Sequence, residues 1–193
     1  MIKPLSQKDI ELKNARVPRP AILFISQNLK GPLVGVEIGV QLGKNAESML
    51  QILNIKKLYL IDPYIHYKKN IHHIAQNFPS QLTRAIQKLS PFKDKIVWVK
   101  KKSSDALNSI PDNLDFVYID GNHTYPYVKA DIENYWPKIK KGGVLAGHDY
   151  FLNTLLIRGR VVGGLEVKKA VDEFVKKHNI NLNVKAPDWW VVK

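Results

Sequence analysis

The chain has 193 residues, no cysteine, and 30 Lys plus Arg against 17 Asp plus Glu, a formal charge of +13. Without cysteine there are no disulfides, thiolate metal ligands or thiol nucleophiles, so any catalysis falls to oxygen and nitrogen side chains. The N-terminal MIKPLSQKDIELKNARVPRP is polar where a signal peptide is apolar, and no run approaches the ~18 apolar residues of a membrane span. A soluble cytoplasmic protein with no membrane contact is therefore expected.

The length predicts a single domain over 1–193, with 1–32 as a helical N-terminal extension. The charge raises the question of a polyanionic partner. However, the lysines are scattered pairs such as Lys56/Lys57 and Lys140/Lys141, plus the triplet Lys100 to Lys102, without interleaved arginine and aromatic residues. A solvated basic surface explains them at least as well as nucleic-acid binding.

In chain order, Pro20 suits the first turn of a helix carrying AILFISQNLK, and Gly31-Pro32 stops it. LVGVEIG (33–39) reads as a strand, and KNAESMLQILN (44–54) as a helix with Ala46, Met49, Leu50 and Leu53 at helical spacing. LYLID (58–62) is a second strand, followed by two helical pieces broken at Pro79. KIVWVK (95–100) is a third strand, and SSDALNSI (103–110) a short helix with Ser103 or Ser104 available as N-cap. LDFVYID (114–120) is a fourth strand. The segment 125–140 is a helix ended near Pro137, and GGVLAGHDY (142–150) supplies the fifth strand. After a helix at about 166–178, LNVKA (182–186) and WWVVK (189–193) are separated by only Pro187 and Asp188. So short a connection joins antiparallel strands, so the sheet finishes in a hairpin. The expected fold is α/β: a Rossmann-like, doubly wound seven-stranded sheet, mostly parallel, with an antiparallel C-terminal hairpin strand.

Ligands bind beyond the carboxyl ends of the strands in such sheets. The residues there form a series: Glu37 and Gly39, Asp62, Ser103 to Asp105, Asp120 and His123, and His148 and Asp149. Gly39 and Gly43 flank the first turn, letting the backbone approach a ligand or the next helix start tightly. Gln41 excludes the G-x-G-x-x-G pattern that grips a pyrophosphate. Asp62 closes the second strand 23 residues after Gly39, near the ~20 at which an acidic residue meets ribose hydroxyls; the plainer reading is a turn before Pro63. His123 could equally cap the helix starting near Tyr125, and Asp149 could cap a turn. Trp189 and Trp190 read as core, and His72 and His73 as surface residues. Tyr125, Tyr127 and Tyr150 stand near the rim.

VEIGVQLG, IDGNHTY and GGVLAGHDY together resemble the class I S-adenosylmethionine-dependent methyltransferases, in particular the small-molecule O-methyltransferase-like group of methyltransferase type 24 domains, over about residues 33–150. The resemblance implies S-adenosylmethionine as cofactor, with Glu37, Gly39, Val40 and Gly43 beside its methionine part. Asp62 would meet its ribose, Ser103, Ser104 and Asp105 its adenine, and Asp120 would be shared between the cofactor and acceptor sides. The metal-dependent catechol-type enzymes, which this region also resembles, imply Asp120, His148 and Asp149 as ligands for Mg²⁺ or Mn²⁺, although His148-Asp149 stands where that family carries Asp-Asn. His123 falls where that family has a catalytic lysine, which implies a general base with an ordinary pKa near ~6.5.

The expected reaction is O-methylation of a small-molecule or sugar hydroxyl, with FLNTLLIRGRVVGG (151–164) as a lid over the acceptor. The alternatives are an RNA or protein methyltransferase, which the charge favours, and a nucleotide-binding protein of the NAD type. A monomer and a homodimer are equally compatible with the sequence.

Overall fold

The computed structural model describes residues 18–65, 78–150, 155–157, 160–162 and 165–193. Seven strands form one sheet: β1 Leu33–Ile38, β2 Ile55–Ile61, β3 Ile96–Val99, β4 Leu114–Ile119, β5 Ile139–Gly147, β8 Asn183–Lys185 and β9 Asp188–Val192. Their order is β3-β2-β1-β4-β5-β9-β8. The first five are parallel, and β9 runs antiparallel to both β5 and β8. The reversal of strand order falls between β1 and β4, where a crevice opens in folds of this kind. Two short strands, β6 Leu155–Ile157 and β7 Arg160–Val162, pair separately as an antiparallel hairpin within the segment expected to be a lid.

The six α-helices among the described residues are α1 Pro20–Asn28, α2 Lys44–Ile52, α3 Phe78–Leu89, α4 Ser103–Ala106, α5 Tyr125–Tyr135 and α6 Leu165–His178. Alternation along the strands decides which helices each face receives. Phe116 and Tyr118 of β4, Val144 and Ala146 of β5 and Trp190 of β9 join the layer holding α1 and α2. Val117, Ile119, Leu145, Trp189 and Val191 point to the opposite layer, with α5 and α6. Each fully buried Val, Ile, Leu or Phe among these stabilises the fold by ~1.5–3 kcal/mol relative to exposure. Ala21, Ile22 and Ile25 of α1 are wholly buried, so this N-terminal helix is part of the core. Trp189 and Trp190 are core residues as expected, at 1% and 8% exposure.

Several boundaries differ from the sequence reading. Pro79 lies within the first turn of α3, where its missing N–H costs no intrahelical bond; the expected piece before it lies outside the described residues. Neither serine caps α4: Lys102 holds the N-cap position, and Ser103 is the first helical residue. Strand β5 begins at Ile139, three residues ahead of the expected Gly142; Ile139 is buried and pairs with Leu114 of β4, and Lys140 meets Asp115 at 2.5 Å. Among the described residues, no helix is long and apolar enough to cross a membrane.

Candidate active site

The turn after β1 is shaped by contact with the end of β4. Gly39 has φ +88°, and a Cβ there would lie 2.1 Å from the Asp120 carbonyl oxygen, so only glycine fits. The Asp120 N–H donates to the Ile38 carbonyl at 2.7 Å, which ties the two strand ends together. Gly43, in left-handed backbone at φ +70°, opens toward α3 instead: a Cβ there would lie 3.0 Å from Leu89. Its smallness serves helix packing. Val40 is buried at 4% exposure.

Asp62 holds this turn from the β2 end. Its Oδ2 accepts the N–H groups of Val40 and Gln41 at 3.0 and 2.9 Å, and its Oδ1 accepts that of Tyr64 at 2.8 Å. The Tyr64 hydroxyl closes the loop by donating to the Gln41 carbonyl at 3.0 Å. Glu37 is fully buried below the turn, where the Asn45 amide donates to its Oε1 at 2.9 Å and its Oε2 has no partner among the described residues. Burial pushes its pKa up to about 8 against the opposing pull of Asn45. Below about pH 8 the carboxyl is therefore mostly neutral until a donor or cation meets it.

Beyond β3, Ser103 is fixed twice by α5. Its hydroxyl donates to Asp131 Oδ1, and its carbonyl accepts the Tyr135 hydroxyl at 2.8 Å. Asp131 and Tyr135 are four residues apart and therefore share one helix face. Asp131 is 4% exposed, and burial raises its pKa to about 7 despite the Ser103 bond. Ser104 and Asp105 pair with each other at 3.0 Å on the exposed side.

The tips of β4 and β5 bring the predicted histidines and aspartates together. Ile119 stands opposite Gly147 in the parallel register, and the His148 N–H donates to the Ile119 carbonyl at 3.1 Å. The next residues, Asp120 and His148, are therefore neighbours. Asn122 Oδ1 accepts both the N–H and hydroxyl of Thr124, at 3.1 and 3.0 Å, and so turns the chain before α5. The first α5 amide, that of Tyr125, is capped at 2.6 Å by Glu166 from α6, so His123 does not cap this helix. His123 Nε2 lies 3.3 Å from Asp120 Oδ1, and its Nδ1 lies 3.0 Å from Asp149 Oδ2. His148 Nδ1 contacts Asp149 Oδ1 and lies 3.9 Å from Asp120 Oδ1. Asp149 adopts φ +65°, a strained conformation of the kind retained at functional sites.

These carboxylates change the imidazole expected from sequence. Burial opposes charge on His123, but the hydrogen bonds and fields of Asp120 and Asp149 outweigh it and raise its pKa to about 10. Burial alone would raise the Asp149 pKa, but the two histidines hold it well below the usual carboxylate range. The cluster is therefore an imidazolium between two carboxylates, in place of the free imidazole of pKa ~6.5 that the sequence suggested. Ligand atoms of Asp120, His123 and Asp149 all lie within 4.8 Å of one another, a spacing that could hold a metal ion, with His123 in the place expected for His148.

Two of the surrounding tyrosines are anchored by carboxylates. Tyr125 donates to Glu173 at 2.6 Å, Tyr150 to Asp172 at 2.6 Å, and Tyr127 is 43% exposed. Gly159, Gly163, Gly164, His66, His72 and His73 lie outside the described residues. The sequence reading missed Arg19, whose Nη1 donates to Asp120 Oδ2 at 2.7 Å, along with Asn45, Tyr64 and Asp131. Two of these left a sequence signal: Asp131 interrupts the apolar face of α5 beside Ile132, and Arg19 stands between two prolines.

A family profile described as a methyltransferase domain matches residues 36–150. An uncharacterized protein of Acanthamoeba polyphaga mimivirus is 30% identical over 126 residues, 63% of this chain and 53% of its own length. An uncharacterized protein of Sinorhizobium fredii is 40% identical over 52 residues, 26% of this chain and 6% of its own. The chain thus matches about half the length of the first relative and a small part of the second.

Among solved structures, a Streptococcus mutans protein designated a methyltransferase, in complex with SAH, superposes with a TM-score of 0.62 at 17% identity, covering 91% of this chain and 97% of that one. A Staphylococcus aureus protein designated a caffeoyl-CoA O-methyltransferase gives 0.62 at 15%, covering 96% and 90%. An rRNA methylase from Streptococcus thermophilus gives 0.60 at 15%, covering 91% and 95%. At these identities the likeness is one of fold.

Proposed function

We propose that this chain, which belongs to the methyltransferase-domain family of class I S-adenosylmethionine-dependent enzymes, transfers a methyl group from that cofactor to a hydroxyl of a small molecule or sugar. The observation that carries this reading is the Asp120–His123–Asp149 cluster, set on adjacent strand tips directly beside the glycine turn. We place the activity in a single cytoplasmic domain.

The residues fit the cofactor. Glu37 offers a buried oxygen below the turn that has no partner among the described residues, which a donor on the methionine part would satisfy. Glu37, Gly39, Val40 and Gly43 would hold that part, Asp62 the ribose, and Ser103, Ser104 and Asp105 the adenine, with Asp120 on the sulfonium side. S-adenosylmethionine, when bound, supplies an electrophilic methyl group for an in-line displacement. What this chain must supply is alignment and removal of the acceptor's proton. His123 in its neutral form would take that proton on Nε2, the acceptor hydroxyl coming between the ring and Asp120 in place of their 3.3 Å contact, and Asp120 and Asp149 stabilise the imidazolium that results. Its raised pKa matches the proton affinity of a phenolic hydroxyl, for which ~10 is ordinary.

A divalent ion is the alternative use of the same atoms, with Asp120 and Asp149 as ligands and His123 or His148 as the imidazole. An ion on His123 would take the lone pair the base needs, so the two roles exclude each other at that residue. A second acceptor class, RNA, draws support from the +13 charge and from the likeness to an rRNA methylase.

The test is release of S-adenosylhomocysteine from S-adenosylmethionine over a panel of catechols, simple phenols, sugars and RNA, with Mg²⁺, Mn²⁺ or EDTA. Turnover on hydroxylated small molecules is expected. Turnover on RNA alone would refute the acceptor assignment, and turnover untouched by EDTA would remove the ion.

A further inference from the structure

Asp120 is held from a second side by a residue outside the matched family region. We propose that Arg19 is a positioning residue for the active site, fixing the Asp120 carboxylate so that one oxygen faces His123, and thereby making helix α1 part of the catalytic machinery. This rests on Asp120 belonging to the cofactor site.

The local sequence prepares Arg19 for this. Its neighbours are Pro18, which is buried, and Pro20, the first residue of α1. A residue before proline is confined to extended backbone, and Arg19 has φ −57° and ψ 141°. The prolines on both sides restrict the backbone that presents the guanidinium, so little further entropy is lost on docking.

The guanidinium then reads two oxygens with one nitrogen. Arg19 Nη1 donates to Tyr118 Oη at 3.0 Å and to Asp120 Oδ2 at 2.7 Å, and its carbon sits 5.5 Å from the centre of the Tyr118 ring. Tyr118 is fully buried and spends its only hydroxyl proton on Asp188 Oδ1 at 2.9 Å, so it can only accept from Arg19. Asp188 Oδ2 accepts the Ala21 N–H at 3.0 Å. Since Ala21 follows Arg19 by two residues, the chain of bonds closes on itself: Arg19, Tyr118, Asp188, Ala21. Each member is bonded to the next, which favours a single arrangement of the ring.

The consequence falls on Asp120. With Oδ2 committed to Arg19, Oδ1 is the oxygen left toward His123 at 3.3 Å and His148 at 3.9 Å. Without Arg19 the carboxylate can rotate and the two oxygens become interchangeable.

The test is calorimetric titration of the full chain with S-adenosylhomocysteine, which requires no knowledge of the acceptor. Arg19→Met is expected to weaken binding about fivefold, and Arg19→Lys, which keeps the charge but not the planar fork, about twofold. Asp120→Asn alone should also weaken it, and the Arg19→Met/Asp120→Asn double variant should bind no more weakly than Asp120→Asn. A merely structural loss would instead multiply with that of Asp120→Asn. Wild-type affinity in folded Arg19→Met, or multiplying losses, overturns the proposal. If Arg19→Met does not fold, Arg19→Lys decides, with wild-type affinity overturning it. Wild-type affinity in Asp120→Asn would instead refute the placement of Asp120 in the cofactor site.

Discussion

The imidazole of His123 faces Asp149 with Nδ1 3.0 Å from Oδ2, while its other nitrogen faces Asp120. Because this pairing raises the His123 pKa from 6.5 to about 10, the stabilisation it gives is fully present below ~6.5 and is lost as pH rises through ~10. Thermal unfolding of the cofactor-free protein should therefore show a melting temperature that declines across that window. His123→Ala should flatten the decline, and an unchanged slope would show that the two carboxylates do not hold the proton.

The same pairing sets the pH dependence of turnover. If neutral His123 is the base, kcat/KM should rise close to tenfold per pH unit between about 7 and 9. His123→Ala should lower turnover by ~10²–10⁴ while changing S-adenosylhomocysteine affinity little. A rate independent of pH in that range would transfer the base role elsewhere.

Glu37 combines a cost to the fold with use at the site. Burial holds its pKa near 8, so below its ordinary value of 4.5 the carboxyl is neutral in both folded and unfolded chains. As pH rises from there to about 8, the unfolded chain ionises first and stability falls. Glu37→Gln keeps the oxygen that accepts from Asn45 and removes this penalty. The variant should melt at or above the wild-type temperature at pH 8 and bind S-adenosylhomocysteine about tenfold more weakly, a trade of stability against function. Unaltered binding would remove Glu37 from the cofactor site.

Asp131 and Tyr135 should act through Ser103. Asp131→Ala is expected to weaken S-adenosylhomocysteine binding by about five- to tenfold and Tyr135→Phe by about threefold. Asp131→Asn, which retains a neutral acceptor for the Ser103 hydroxyl, should recover most of the affinity. Equal losses in Asp131→Ala and Asp131→Asn would show that the carboxylate is needed for its charge.

Much of this site was legible in the sequence because strand ends and site coincide in folds of this class. The runs LDFVYID (114–120) and GGVLAGHDY (142–150) predicted that Asp120, His123, His148 and Asp149 would share a rim, and the parallel register brings them there. What escaped the reading depended on partners distant in sequence. Ser103 has the chemistry of an N-cap, but Asp131, 28 residues on, competes for its hydroxyl. Arg19 meets Asp120 across 101 residues, which no local periodicity reports. Gly43 suits either a ligand's approach or a tight helix start, and a Cβ there would lie 3.0 Å from Leu89 of α3. The Lys140-Lys141 pair concealed the start of β5, since the pairing of Ile139 with Leu114 is visible only in three dimensions. The charge state of His123 escaped for the same reason: its two carboxylates converge only once β4 and β5 lie side by side.

The central claim, that this chain uses S-adenosylmethionine through the turn at Gly39 and the cluster at Asp120, is tested most directly by calorimetric titration with S-adenosylhomocysteine and, separately, with NAD. The account predicts one S-adenosylhomocysteine site per chain, weakened at least tenfold by Asp62→Ala, and no heat from NAD. Saturable NAD binding with none for S-adenosylhomocysteine would contradict it.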